Sequence, residues 1–441
     1  SVNLGETLGL KVSLATPGAY TIDVYRLGYY GGLGARLVAS SGTLTGITQP
    51  DCSVTDPATL LIECDWGTSY NLQIGTDWTT GLYIADLTES TGGKQSQIWF
   101  VVRDDSSVSD IVFQSSFSTF LAYNHYGTNE RRSLYGFNST GGQRAFAVSF
   151  DRPFGQVTTD PSRHEHLLNY EYPMARWLES QGYDVSYITN MDVQTNPGAL
   201  LQHKVYLSVG HDEYWSEEMR NGVEQARDAG MNLGFFSGNT AYWRVRFEPS
   251  TITGQANRVM ICYKDPLAND PVAPTYLWRG PENNRPENAL LGVMYIGDDN
   301  GASIGYDHIV SNSAHYLYNA TGLSDGDALL ALVGFEWDAA VNNGFSPSGL
   351  ATLSESVVVP QVIAPGLPPG TDVTISNSTY YTDSSSGARV FATGSIQWMW
   401  GLDSFGVSPP REDVRAKQFA VNVLADMGIL PFTPDPGLVL P

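Results

Sequence analysis

The stretch GHDEYWSEEM, residues 210–219, puts a histidine and two acids directly after the apolar run KVYLSV. Histidine moves protons near neutral pH. Carboxylate oxygen is a hard ligand suited to ferric iron, manganese or calcium, and zinc accepts it too. His211 and Glu213 therefore read either as parts of a metal or proton-transfer site or as an acidic helix start stabilised by the helix dipole. A second cluster, His164-Glu165-His166 in SRHEHLLNYEYP, is either a metal-binding histidine pair or a polar loop. Other chemistries lack their residues. No G-x-S-x-G elbow occupies the turn at 210–213, which carries Asp212 and Glu213 where the nucleophile would sit. That turn has no amidotransferase-like cysteine either, and no P-loop or GxGxxG offers an anchor for nucleotides.

The elements that must position these groups fall into two rhythms. Up to about residue 105 the pattern alternates: AYTIDVYRL puts Tyr20, Ile22 and Val24 on one face and Thr21 and Asp23 on the other, and GLYIADL and SQIWFVV repeat it. Short alternating strands between Gly-rich turns predict an all-β, Ig-like sandwich over 1–105. From 108 the runs IVFQSS, YDVSYIT, KVYLSV and MNLGFFSG read as strands. YPMARWLESQG, SEEMRNGVEQARDAG and REDVRAKQFAVNVLADMG read as helices, with Ser216 the N-cap of the second. That alternation predicts a parallel sheet flanked by helices over 108–432, with a β-rich extension from about 265 to 400. Ligands of such sheets bind at the carboxyl ends of the strands, where both GHDEYW and the Asn239 of FFSGNTAYW fall.

The 441 residues carry 24 Lys plus Arg against 46 Asp plus Glu, a net charge of −22. Such a surface repels phosphate backbones, so nucleic acid is not an expected partner. No apolar run reaches the roughly 20 residues that span a bilayer. Low Lys, abundant Tyr, Gly, Ser, Thr and Asn, and an opening with no initiator Met point to a secreted, processed protein. Cys52 and Cys64 flank a short loop and suit a disulfide in an oxidising compartment, whereas Cys262 in RVMICYKD reads as a buried thiol. Asn138, Asn319 and Asn377 open glycosylation sequons.

From FQSSFSTFLAYNHYG to FATGSIQWMWGLDSFG and the last helix, about residues 108–430, the chain resembles the C-terminal domain of the N,N-dimethylformamidase large (beta) subunit family. The resemblance implies a flavodoxin-like fold related to class I glutamine amidotransferases without their cysteine. It also implies a mononuclear ferric iron, Fe(3+), held by two tyrosines and a glutamate, that hydrolyses a small amide. By resemblance the ligands are Tyr123 in STFLAYNHYG, Tyr135 in SLYGFNSTGG and Glu213 in SVGHDEYW. His211, Asn239 and Glu336 of LVGFEWD are then the further active-site residues. The family's subunit carries additional β regions and works with a small subunit, whereas one β region precedes the domain here. Two functions stay open at this point: a secreted amide hydrolase, or a secreted binding or assembly protein, for glycans or surfaces, that keeps the fold without turnover.

Overall fold

The alternation in AYTIDVYRL forms the strand Gly18–Leu27, in which Tyr20, Ile22 and Val24 are buried and Thr21 and Asp23 half-buried. The computed structural model describes residues 1–154, 167–265 and 270–441. Around Gly18–Leu27 the N-terminal region builds a six-stranded sheet, in the order Val2–Asn3, Gln95–Arg103, Gly81–Glu89, Gly18–Leu27 and Ala35–Ser40, with Leu44–Gly46 also paired to Gly18–Leu27. A hairpin of Ser53–Asp56 and Leu61–Glu63 follows, closed by a disulfide between Cys52 and Cys64. Cys262 is free and buried.

A seven-stranded sheet positions the polar cluster. Its order is Val185–Thr189, Ile111–Ser115, Val205–His211, Asn232–Gly238, Arg389–Ala392, Thr379–Thr382 and Ala351–Thr352. The first five pair in parallel and the last two add antiparallel. Every residue of Val205–His211 and of Asn232–Gly238 is buried, which is why both read as continuous apolar runs rather than alternations. Their register pairs His211 with Gly238, so the residues that follow, Glu213 and Asn239, emerge together at one edge. The helices Glu171–Ser180, Glu217–Asp228 and Val414–Asp426 lie where their patterns placed them. Ser216 caps the second by accepting the Met219 N–H at 3.1 Å.

The flavodoxin-like (class I glutamine-amidotransferase-like) α/β layout preceded by an Ig-like sandwich is not what forms. Among the described residues there are 28 strands and six α-helices, arranged in eight sheets. Only Glu217–Asp228 and Val414–Asp426 exceed ten residues. A doubly wound sheet needs a covering helix at each crossover. Past Lys264 the chain instead supplies short β runs that satisfy their backbone groups in small ladders. Met294–Asp298 pairs with Glu336–Ala339 and Val362–Ile363, Tyr306–Ile309 with Ala328–Val333, and Ser356–Val357 with Ile375–Ser376. Strands and helices do alternate between 108 and 240, but much of the β-rich extension from about 265 to 400 splits into small separate ladders instead of completing a flavodoxin-like layout.

The N-terminal sheet packs on the parallel one. Leu27, Leu82, Ile84 and Val101 share an apolar cluster with Ile111, Phe113, Leu207 and Trp177. At its margin Arg26 Nη2 pairs with Glu179 Oε1 at 2.7 Å, and the Tyr187 N–H donates to Thr80 Oγ1 at 3.0 Å.

Candidate active site

Two backbone features bring the polar groups into one cluster. Gly210 has φ +75°, and a Cβ there would meet the Tyr170 Cβ at 2.5 Å, so only glycine lets the chain turn between Val209 and His211. Asn239 has φ +50°, a left-handed conformation that asparagine tolerates better than most residues. It is pinned by its N–H donating to Asp338 Oδ1 at 2.8 Å and its Nδ2 donating to Glu336 Oε2 at 2.8 Å. Burial pushes the Asp338 carboxyl up to about 7.

The helix Phe117–Tyr123, entered from the strand Ile111–Ser115, ends by presenting Tyr123. The following loop folds back on it: the Leu134 N–H donates to Ala122 O at 3.0 Å, and Asn138 Nδ2 donates to Tyr123 O at 3.1 Å. Tyr135 is thereby laid flat on Tyr123, with ring centroids 4.3 Å apart and planes 21° apart. The three oxygens converge. Tyr135 OH donates to Tyr123 OH at 2.7 Å, Tyr123 OH to Glu213 Oε2 at 3.0 Å, and Tyr135 OH lies 3.1 Å from the same Oε2. Glu213 is fixed by Trp243 Nε1, which donates to Oε1 at 2.7 Å, and by its own N–H, which donates to Thr119 Oγ1 at 2.9 Å.

His211 Nε2 sits between two carboxylates, 3.0 Å from Glu336 Oε2 and 3.4 Å from Glu213 Oε2. It lies off the hydrogen-bond axis of either, and Nδ1 has no partner. Burial opposes the imidazolium, but the Glu336 and Glu213 carboxylates outweigh it and hold the ring well above its usual range. Glu213 is shifted down: burial opposes its charge, and contact with His211 and the field of Lys264 prevail. Tyr123 and Tyr135 are pushed far up by burial first and then by Glu213. Unaided, both phenols keep their protons and donate them. A bound cation would reverse that balance, as the largest local charge in such a site.

Every residue singled out by resemblance is therefore in one cluster: Tyr123, Tyr135, Glu213, His211, Asn239 and Glu336. Four others were not legible in the sequence. Tyr214 OH meets Tyr135 OH at 2.5 Å, Trp243 and Asp338 hold the carboxylate and the asparagine, and Lys264 Nζ lies 3.4 Å from the Tyr135 ring centroid. Tyr214 follows Glu213 directly, so adjacency could have flagged it. Nothing in the spacing marks Lys264. Asp212 faces elsewhere: its Oδ2 accepts Ser208 Oγ and Gln114 Nε2, both at 2.8 Å, and burial raises its carboxyl to about 6. The His164-Glu165-His166 cluster lies outside the described residues. Among the described residues no group of three or more His, Cys, Asp and Glu is arranged for a metal. The cluster here has a different donor set, two phenols and one carboxylate. The G-x-S-x-G spacing at 301–305 is no nucleophile elbow, since it lies in a loop and the Ser303 hydroxyl donates to Asp299.

The N,N-dimethylformamidase beta subunit-like C-terminal family matches residues 21–413. The chain belongs to that family. Its match begins within the N-terminal β region rather than after it, and the family supports an amidase-like hydrolase role. No curated protein matches the chain. Among the described residues no helix is long and apolar enough to cross a membrane. Of the sequons, Asn138 and Asn377 turn their amides inward, to Tyr123 O and Ser354 O, while Asn319 is exposed.

Proposed function

We propose that the chain is a secreted, iron-dependent hydrolase of a small linear amide or related C–N bond, with Tyr123, Tyr135 and Glu213 as ligands of one ferric ion. The observation that carries this reading is the convergence of three buried oxygens, from two phenols and a carboxylate, within 2.7–3.1 Å of one another. Deprotonated, they match the three charges of ferric iron, and hard oxygen donors suit it. When bound, the ion supplies Lewis acidity that polarises a carbonyl and acidifies water.

The remaining residues handle protons and orientation. Glu336 is the base that takes the attacking water's proton, and His211, beside Glu336 Oε2, stabilises that carboxylate and passes a proton to the departing amine. Asn239 spends one of its two amide hydrogens on orienting Glu336, which leaves the other for a developing oxyanion. The Cys52–Cys64 disulfide supports an oxidising, extracellular location.

The test is a metal analysis and visible spectrum of the full chain after exposure to ferric iron, followed by assay on N,N-dimethylformamide and related small amides. The expected outcome is a single iron per chain with a tyrosinate-to-iron absorption band, both lost in Tyr123→Phe. A colourless chain that takes up no ferric iron overturns the reading.

A further inference from the structure

A buried ammonium with nothing to donate to is an expensive group to keep. Lys264 Nζ is sealed from solvent and has no hydrogen-bond partner among the described residues. It is instead surrounded by rings: its Nζ lies 3.4 Å from the Tyr135 centroid and 4.9 Å from the centroids of both Tyr214 and Trp243. Tyr123 already covers one face of Tyr135, with centroids only 4.3 Å apart. No ammonium fits between those two rings, so Lys264 occupies the opposite face. Tyr135 is thus sandwiched between a fellow tyrosine and a cation. The two other rings around Lys264 are also tied into the site, Tyr214 OH by contact with Tyr135 OH and Trp243 Nε1 by donating to Glu213 Oε1. The backbone at Lys264 is strained to reach this place, with φ +53° in a residue that is neither Gly nor Asn.

A cation over an aromatic face is attracted by the ring's electron density, and more strongly when water is excluded. We infer that Lys264 is a positioning residue that fixes the Tyr135 ring against Tyr123, as a metal ligand, by seating its ammonium on the ring face turned away from Tyr123. This rests on the iron reading of the site. Lys264 touches no reacting atom in this role. With ferric iron bound, its charge beside the ring would shift the colour of the complex, and its packing on the ring would keep Tyr135 in place at the metal.

The experiment compares the wild-type chain with Lys264→Met, which keeps the length and loses the charge, and Lys264→Arg, which keeps the charge. Each is loaded with ferric iron; the visible band is recorded and iron release to a chelator is timed. In Lys264→Met the band is expected at longer wavelength, with roughly tenfold weaker iron retention, and Lys264→Arg is expected to stay close to wild type. A merely structural lysine would not move the band in this charge-dependent way. A wild-type band that Lys264→Met leaves unmoved, with unchanged retention, overturns the inference and leaves the iron site standing. A wild-type chain that takes up no iron, or takes it up without the band, overturns the iron reading and this inference with it. Should Lys264→Met fail to fold, Lys264→Gln carries the same comparison, and the same band shift is expected there.

Discussion

Two buried glutamates in this molecule are held in opposite ways. Glu63 sits at the seam between the disulfide-closed hairpin and the region beyond it, where hydroxyl and amide donors saturate it. Ser250 Oγ donates to Oε1 at 2.8 Å, Thr55 Oγ1 donates to Oε2 at 2.9 Å, and Thr251 contributes its hydroxyl and its N–H. Glu213 is equally buried, but the groups around it are left wanting. His211 Nδ1, Asn239 Oδ1 and Lys264 Nζ all lack partners, and two phenols crowd one of its oxygens. A carboxylate whose donors are complete stabilises a fold. A cluster of incomplete polar atoms around one carboxylate, kept at the edge of a parallel sheet, is what the proposed iron site would complete.

The contrast can be broken most sharply at Glu213 itself. Glu213→Gln is expected to weaken ferric iron retention at least about a hundredfold, since even outer partners of metal ligands cost 10–100-fold. Because His211 and Lys264 favour the Glu213 charge in the folded chain, a lower melting temperature of the metal-free chain is expected as well, and iron retention is the readout that separates Glu213 from Glu63. Unchanged iron retention would show that Glu213 only supports the fold, as Glu63 does. The reciprocal change, Glu63→Ala, strands the Thr55, Ser250 and Thr251 donors. It is expected to cost about 1–3 kcal/mol by denaturant unfolding while leaving iron uptake unchanged; altered iron uptake would merge the two regions into one functional unit.

The smallest effect concerns a third buried acid. Glu171 accepts the Ser116 N–H at 2.7 Å and the Ser115 hydroxyl, and burial lifts its carboxyl to about 8 despite those bonds. Because its folded pKa lies above the unfolded one, the native state binds the extra proton. Its contribution is complete below the unfolded pKa and is lost as the pH rises towards 8. Glu171→Gln keeps an acceptor for Ser116 and cannot ionise. Its stability relative to wild type is therefore expected to grow by roughly 1 kcal/mol between pH 5 and pH 6, read from melting curves at each pH. A constant difference would mean that Glu171 does not change its charge over this range.

Much of the local architecture was legible. The continuous apolar runs ending at His211 and Gly238 are core strands because they are buried on both faces. The caps and faces of Glu171–Ser180, Glu217–Asp228 and Val414–Asp426 follow from their helical periodicity. His211, Glu213 and Asn239 were flagged by their place at strand ends, whereas Tyr123, Tyr135 and Glu336 were named only through family resemblance, since they lie on separate segments. Beyond Lys264 the β-rich extension was legible but its division into small sheets was not, because short β runs carry little signal of which partner they pair with.

By itself the sequence determined the elements, the disulfide-sized loop from Cys52 to Cys64, the acidic surface and the family, because each is written in local pattern or ordered motif. Only the tertiary structure decided which polar groups are satisfied. The same residue type, glutamate, has satisfied donors around it at position 63 and unpartnered polar neighbours around it at position 213. The difference lies in donors up to 188 residues away in the chain, and hydrogen bonds and cation–ring contacts depend on distance and angle in space, which no local spacing records.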